Sequence, residues 1–122
     1  MALKLSSRQQ AQLAYLESLP PKMARVRAVI EDMASLKTDE MVVRGLGRLL
    51  DEMKGNCQAL SLTGLADTCG LMGTISRRGG GLPMKARGLR ELSGSLKINY
   101  EAALKRATTP ETAADTGESG GH

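Results

Sequence analysis

The sequence predicts an all-α protein: an antiparallel four-helix bundle with a short N-terminal capping helix over residues 1–107, followed by a disordered C-terminal tail over 108–122. Apolar residues recur at three- and four-residue spacing through most of the chain, which is typical of amphipathic helices, and no stretch reads as a strand. Proline and glycine separate these periodic segments. A hydrophobic fraction of 41% is sufficient for the core of one domain.

The core of this bundle should be aliphatic, because the chain contains no Phe or Trp and only two Tyr. Its two cysteines, Cys57 and Cys69, occupy apolar positions of successive helices, without a nearby His or Cys-x-x-Cys spacing. We therefore expect free core thiols rather than metal ligands or a disulfide, which fits a reducing cytoplasm. The start of the chain lacks an uninterrupted apolar run, so neither a signal peptide nor a membrane-spanning helix is predicted.

Pro20 and Pro21 separate the first two helices. Ser6 and Ser7 are typical helix-start residues, and the short helix that follows them is expected to cap the bundle. The two prolines end it and can begin the second helix, since their missing N–H groups do no harm in a first turn. The buried face of the second helix is predicted to contain Met23, Val26, Val29, Ile30, Met33 and Leu36.

The third helix begins near residue 39, because Thr38 is a good cap and acidic residues follow it where the helix dipole favours them. Its apolar stripe is centred on Leu46. The other members of this stripe are Val42, Leu49, Leu50, Met53, Cys57 and Leu60. The opposite side, which should face solvent, contains Arg44, Gly47, Arg48, Asp51, Lys54, Gly55 and Gln58.

Three glycines lie within this third helix, and each costs about 1 kcal/mol relative to alanine in a helix interior. For Gly45, at the edge of the apolar stripe, close packing against a neighbouring helix and another role are both open. Gly47 and Gly55 lie one turn before and one turn after Asp51 on the outward side. Close approach by the backbone or a loop of a partner suits both glycines, and we favour this interpretation for Gly55.

Residues 60–64 are predicted to form a short turn, so the fourth helix should be an antiparallel neighbour of the third. The inward residues of the fourth helix are Leu65, Ala66, Cys69 and Met72. Residues 76–81 end it with basic side chains and glycines. Pro83 begins the last helix, which ends near Ala107. The buried stripe of the last helix contains Leu89, Leu92, Leu96, Tyr100 and Ala103.

Residues that could carry catalysis are few. The glycines at 79–81 do not form a P-loop, because no Gly-Lys-Ser/Thr follows them and no strand precedes them. The single histidine, His122, is the last residue of the predicted tail. No metal-ligand cluster and no nucleophile with a partner base can be assembled from these helices. We therefore predict a protein that is not an enzyme, with no catalytic residue, cofactor or metal.

The stretch at 51–57, Asp-Glu-Met-Lys-Gly-Asn-Cys, resembles the histidine-containing phosphotransfer (HPt) domain of two-component phosphorelays. That family carries His-x-x-Lys-Gly on a helix of a four-helix bundle, then a Leu-Gly-type turn and a helix with an Ala-x-x-Cys/Ala pattern. Here the motif is followed by Leu60, Leu65-Ala66, Cys69 and Arg77-Arg78-Gly79. The resemblance covers about residues 39–80 in motif detail, and the helix order extends it.

The resemblance implies that Lys54 is the cation near the phosphoryl group and that Gly55 lets a receiver domain come close. Asp51 stands where the family has its phosphorylated histidine, and an exposed carboxylate without a receiver-type metal site is a poor substitute for an imidazole nucleophile. We therefore expect a cytoplasmic HPt-like regulator or scaffold that docks a response-regulator receiver domain or a histidine kinase without relaying phosphate. Asp51 would imitate the phosphorylated state weakly. The predicted docking residues are Arg44, Gly47, Arg48, Asp51, Lys54, Gly55 and Gln58.

Two other function classes remain open. A helical-bundle adaptor would bind a helix or a protein groove through another surface, for instance the first helix. A nucleic-acid-binding module would use the basic residues Arg77, Arg78, Lys85, Arg87 and Arg90. The net charge of +4 allows nucleic-acid binding, but the near absence of aromatic residues does not indicate it, and an ordinary solvated basic surface is favoured.

Overall fold

The computed structural model describes residues 4–111, and all regular structure within that range is helical. Its five helices are α1 (Ser7–Glu17), α2 (Leu19–Ala34), α3 (Glu40–Ala59), α4 (Thr63–Arg77) and α5 (Leu82–Thr108). The predicted all-α class is thus confirmed for these residues. Residues 112–122, which include His122 and most of the predicted tail, lie outside the described residues.

Polar residues determine where α1 and α3 begin. The hydroxyl of Ser6 accepts a hydrogen bond from the backbone N–H of Gln9, and the Gln9 side chain accepts one from the N–H of Ser6, both at 3.0 Å. This reciprocal pair is a capping box, so the predicted start of α1 is confirmed. The cap of α3 is Asp39, whose carboxylate accepts from the N–H of Val42 at 3.0 Å. The predicted Thr38 cap is therefore wrong by one residue.

Prolines begin α2 and α5. Pro20 and Pro21 lie in the first turn of α2, and Pro83 lies in the first turn of α5, as predicted from their missing N–H groups. The end of α2 differs from the prediction. The helix stops at Ala34, and Leu36 has a φ of 57° and is 66% exposed. Its predicted place in the buried face is wrong because the helix ends before it.

The connection between α3 and α4 is shorter than predicted, since α4 begins at Thr63, inside the segment 60–64. Ser61 adopts the left-handed region with a φ of 60°. The N–H of Leu62 then donates to the carbonyl of Cys57 at 2.8 Å, which closes the end of α3. So tight a connection keeps the two helices side by side.

One aliphatic core joins all five helices. Its large, fully buried side chains include Leu16, Val26, Ile30, Met33, Leu50, Met53, Leu65, Met72, Leu89 and Leu96. Each such side chain contributes about 1.5–3 kcal/mol relative to an exposed one. All four predicted inward residues of α4 are buried. In α5 the predicted stripe is buried at Leu89, Leu96 and Ala103 and half-buried at Leu92 and Tyr100.

The buried face of α3 is rotated relative to its predicted stripe. Leu46, with Leu50, Met53 and Cys57, is buried as predicted, but Val43 is buried where Val42 was expected. Val42 is 42% exposed and Val43 only 5%. The reason is that α4 covers the side of α3 on which Val43 and Gly47 lie, so the buried sector extends toward α4.

The two neighbours of α3 are α2 and α4, and α5 contacts both of these. The first helix packs against α5 and α2. Its Gln9 is buried, and the side-chain amide donates to the carbonyl of Arg106 at 3.0 Å and to that of Thr109 at 2.6 Å. The amide of Gln12 donates to the carbonyl of Leu60 at 2.8 Å. Within residues 4–111, none of the helices is long and apolar enough to cross a membrane.

Candidate docking surface on α3

The seven residues predicted to form the outward side of α3 do not share one environment. Those that are exposed are Arg44, Arg48, Asp51, Gly55 and Gln58. Lys54 is half-buried and Gly47 is buried. We call the exposed five the outer face of α3. On one side this face is bordered by α4, and on the other by α2.

Gly47 belongs to the contact between α3 and α4. A Cβ added to it would lie 3.1 Å from the hydroxyl oxygen of Ser76 and 3.7 Å from a guanidinium nitrogen of Arg77. The first distance is tighter than ordinary van der Waals contact, so a side chain at this position would have to displace the Ser76 hydroxyl by a few tenths of an ångström. The prediction that Gly47 faces solvent is wrong, because α4 covers it, and Gly47 is not available to a partner.

The side chain of Lys54 lies over Gly70 of α4. A Cβ at Gly70 would come within 3.4 Å of the Cδ and Cε atoms of Lys54 and within 3.5 Å of its ammonium nitrogen. The methylene groups of this lysine therefore cover helix backbone, while the ammonium group lies at the edge of the contact. Glycine at position 70 makes room for this arrangement.

Asp51 forms an ion pair with Arg77, the last residue of α4. The guanidinium Nη1 lies 2.9 Å from the carboxylate Oδ2, and the two side chains are about half exposed. Gly73 lies beneath the pair, since a Cβ there would be 3.3 Å from an oxygen of Asp51 and from Nη2 of Arg77. The negative charge of Asp51 is thus offset by a cation in the same chain.

Arg77 belongs to this site, but the sequence did not place it among the docking residues; it assigned Arg77 to the end of the fourth helix, to the HPt-like pattern and to a possible nucleic-acid surface. The signal that could have found it was the short connection after α3. A chain that reverses near residue 61 brings position 73 opposite Asp51, and Arg77 follows one turn later. We call the contact formed by Gly47, Asp51, Lys54, Gly70, Gly73 and Arg77 the α3–α4 seam.

The other two glycines of α3 have no such packing role. A Cβ at Gly55 would meet no atom of residues 4–111 within 4 Å. A Cβ at Gly45 would meet only a guanidinium nitrogen of Arg48, in the next turn of the same helix, at 3.9 Å. Close packing of a neighbouring helix against Gly45 is therefore not observed.

The chemistry available at this surface is that of charge and shape. Within residues 4–111, no group of three or more His, Cys, Asp or Glu side chains is placed to hold a metal ion. Cys57 and Cys69 are free and fully buried, as predicted. Burial raises the pKa of the Cys69 thiol to about 12, and it also raises the pKa of Cys57 and of the half-buried Tyr15. All three groups are therefore neutral near pH 7.

Several of the cations proposed for nucleic-acid binding are engaged within the chain. Arg77 is held in the α3–α4 seam. Arg90 donates two hydrogen bonds to the carboxylate of Glu31, at 2.8 and 3.0 Å, and the ammonium group of Lys85 donates to the carbonyl of Ser76 at 3.3 Å. Such contacts compete with phosphate groups for the same donors.

Comparison of the chain with protein-family models, with curated proteins and with solved structures found no match.

Proposed function

We propose that the protein is an HPt-like signalling protein that lacks the phosphoryl-accepting histidine and docks a receiver domain or a histidine kinase as a non-catalytic regulator or scaffold. The observation that carries this proposal is the open space at Gly55, one turn after Asp51 on the outer face of α3. No contact within the described residues explains why a helix keeps this glycine at a cost of about 1 kcal/mol. A partner backbone that approaches α3 closely at this point would explain it.

We take α2 to α5 as an antiparallel four-helix bundle of the HPt type, with α1 as its cap. Support comes from the pairing across the α3–α4 seam, where Gly47 approaches Ser76 and Lys54 approaches Gly70. Position numbers rise along α3 as they fall along α4. Short connections between the helices also favour antiparallel neighbours.

The charges of the outer face suit an acidic partner site. Because Asp51 is offset by Arg77, Arg48 and the ammonium group of Lys54 leave this region of α3 positive. The active site of a receiver domain is built from carboxylates, so its potential would be complementary. Asp51 then acts mainly by orienting Arg77 and only weakly as a fixed negative charge.

The first test is an NMR titration of the isotopically labelled protein with receiver domains from the same organism, each with and without a phosphoryl mimic. We expect amide shift changes concentrated at Arg48, Asp51, Gly55 and Gln58. No change with any receiver, or changes confined to α1 or to the glycines at 79–81, would contradict the proposal. Changes confined to α1 would favour the adaptor alternative.

Two substitutions of the same kind sharpen this test. Gly55→Leu places a large side chain on the outer face, so it should weaken receiver binding by about tenfold or more, which corresponds to about 1.4 kcal/mol. Gly45→Leu adds the same side chain to the same helix on the side facing α2, and it should leave receiver binding unchanged. Equal losses from both variants would contradict docking at Gly55.

The ancestry of the site can be tested with Asp51→His. If the docking face is intact, the introduced imidazole should attack the phosphorus of a receiver aspartyl phosphate. A P–N bond forms while the P–O bond to the receiver carboxylate breaks, and the carboxylate leaves. Asp51→Asn is the control that should stay unlabelled. An unlabelled histidine variant that folds and binds the receiver would contradict the proposed relationship.

A further inference from the structure

A second surface of α3, on the side away from the seam, forms a groove with α2. The cavity there has a volume of about 240 Å³. Its lining residues are Arg25, Val29, Met41, Val42, Gly45, Leu46, Arg48 and Leu49. We call it the α2–α3 groove. It shares only Arg48 with the outer face.

The floor and walls of the α2–α3 groove are apolar. Leu46 is buried at its base, and Val29 and Leu49 are half-buried. Met41 is 75% exposed and Val42 42% exposed. An apolar cavity of about 150 Å³ holds a benzene molecule, so this groove can take one large apolar side chain. Exposed apolar residues around a recess of this size are typical of a binding surface.

Gly45 keeps the groove open. Among the residues that the structure describes, only Arg48, one turn along the same helix, comes within 4 Å of a Cβ placed there. Alanine would fit without strain and would stabilise the helix by about 1 kcal/mol. The packing of the described residues therefore gives no reason for a glycine, whereas an occupant that inserts between α2 and α3 does.

The rim of the groove is positively charged. Arg25 and Arg48 line it, and no acidic side chain does so among the described residues. In the part of the chain that the structure describes, the ion pairs are Lys22–Glu52, Glu40–Arg44, Asp51–Arg77 and Glu31–Arg90. Neither rim arginine takes part in them. The groove thus presents two arginines that form no ion pair within residues 4–111, beside an apolar recess.

We propose that the α2–α3 groove binds an acidic segment of a partner protein, with one large apolar side chain inserted above Gly45 and carboxylates beside Arg25 and Arg48. A bulky anchor in a pocket with charged flanks is a common arrangement in protein recognition. Residues 112–122 of this chain do not fit, because they contain no apolar residue larger than alanine. This inference does not depend on receiver docking at Gly55.

Two synthetic peptides test the proposal. Both contain a phenylalanine flanked by leucines, with glutamates around them in one peptide and lysines in the other. The glutamate peptide should shift the amides of Val29, Gly45 and Leu49 in NMR spectra. It should bind about tenfold more tightly than the lysine peptide at low ionic strength, and added salt should reduce this ratio because the rim charges are exposed.

Matched variants locate the binding. Gly45→Leu fills the groove, so it should lower the affinity for the glutamate peptide by about tenfold or more without loss of folding stability. Gly55→Leu, the same substitution outside the groove, should leave that affinity unchanged. Arg25→Gln should lower the affinity for the glutamate peptide and should not lower the affinity for the lysine peptide. The two glycine variants distinguish the two surfaces, because Gly45→Leu should weaken peptide binding in the groove and Gly55→Leu should weaken receiver binding.

Four results would overturn the proposal. The first two are equal affinity for both peptides and an affinity for the glutamate peptide that Gly45→Leu does not change. The third is no binding of the glutamate peptide at about 1 mM. The fourth is self-association of the protein that Gly45→Leu abolishes. The last would show that the groove joins copies of this chain. Sedimentation velocity over a range of protein concentrations measures it.

Discussion

Gly45 and Gly47 are two residues apart in α3, yet they lie in opposite environments. Gly47 is buried in the α3–α4 seam, where a Cβ would approach the hydroxyl oxygen of Ser76 to 3.1 Å. Gly45 lines the α2–α3 groove, where a Cβ would have 3.9 Å to its nearest contact. Both weaken the helix by a similar amount. The first glycine is explained by the fold, whereas no contact among the described residues explains the second.

The charges of the α3–α4 seam are paired, whereas those of the α2–α3 groove are not paired among the described residues. In the seam, Asp51 and Arg77 neutralise each other at 2.9 Å. At the groove, Arg25 and Arg48 form no ion pair within residues 4–111. In the seam, side chains of the same chain fill the space and pair the charges. In the groove, the recess is open and the two arginines form no ion pair among the described residues, which is the physical basis for assigning it to a partner.

Thiol reactivity should show the largest difference between the two sides. Cys57 and Cys69 are fully buried in the core, so they should react with a thiol reagent about 1,000-fold more slowly than in unfolded protein, because reaction requires opening. The thiol introduced by Gly45→Cys lies in the open groove and should react within about tenfold of the unfolded rate. Mass spectrometry at successive times measures all three. Comparable rates would contradict a closed core.

Alkaline pH should destabilise the protein through Cys69. Its pKa is about 12 in the fold and about 9 without the burial, so between these values the unfolded state binds fewer protons. The free energy of unfolding should therefore be constant with respect to this group below pH 9 and should fall as pH rises from about 9 to 12. In urea titrations, Cys69→Ala should show a shallower fall over that range. An unchanged slope would exclude this thiol as the cause.

Overfilling the seam should destabilise the protein measurably. Gly47→Leu forces a side chain against Ser76 and Arg77, and we expect a loss of about 1–3 kcal/mol in the free energy of unfolding. Urea denaturation monitored by circular dichroism measures it. In the smaller variant Gly47→Ala the clash is with the Ser76 hydroxyl, so adding Ser76→Ala should recover part of the loss. Gly47→Leu without destabilisation would show that α4 can move away from α3.

Substitution of the two unobstructed glycines, Gly45 and Gly55, should stabilise the protein, in contrast to substitution of Gly47. Gly45→Ala and Gly55→Ala should each raise the free energy of unfolding by up to about 1 kcal/mol, because alanine is the better helix former and meets no obstruction. The sites are about 15 Å apart along the helix, so the two effects should add. Thermal and urea unfolding of both single variants and the double variant provide the check. A loss at Gly45 would mean that the groove is filled in the free protein.

The smallest effect is expected at the ion pair. Arg77→Ala should lower the free energy of unfolding by less than about 1 kcal/mol, because both partners are about half exposed, and high salt should remove the difference. Arg78→Ala removes the neighbouring exposed arginine, whose side chain forms no ion pair among the described residues, and is the matched control. Equal effects from both variants would mean that the pair itself contributes nothing.

Local chemistry made much of the fold predictable. The capping box at Ser6 and the prolines at 20, 21 and 83 place three of the helix starts, because each acts on backbone groups within the same turn. Periodicity identified the inward residues of α4 for the same reason, since a repeat of 3.6 residues is a property of one helix. None of these inferences needs knowledge of a neighbouring element.

The errors at the candidate site concern contacts between helices, whereas those at Thr38 and Leu36 concern where a helix begins or ends. A helical wheel for α3 does not say how far α4 wraps around it, so Val42 replaced Val43 in the predicted stripe and Gly47 was placed in solvent. Glycine gives no hydropathy signal of its own, and its role depends on what occupies the space beside it. Arg77 was missed because its partner is 26 residues away. The predicted burial of Leu36 was wrong because α2 ends in a left-handed turn, and Leu36 occupies the position in that turn where glycine is usual.

Two hydrogen bonds of Gln9 connect the beginning of the described chain to its end, because its side-chain amide donates to backbone carbonyls 97 and 100 residues further along the sequence. The two sides of the seam, by contrast, are joined by one short connection. Closing a long loop has a larger entropic cost than closing a short one, and contacts between distant residues slow folding. We therefore expect α3 and α4 to associate early in refolding and α1 to dock last. The same order in reverse makes α1 the first helix to leave when the protein unfolds.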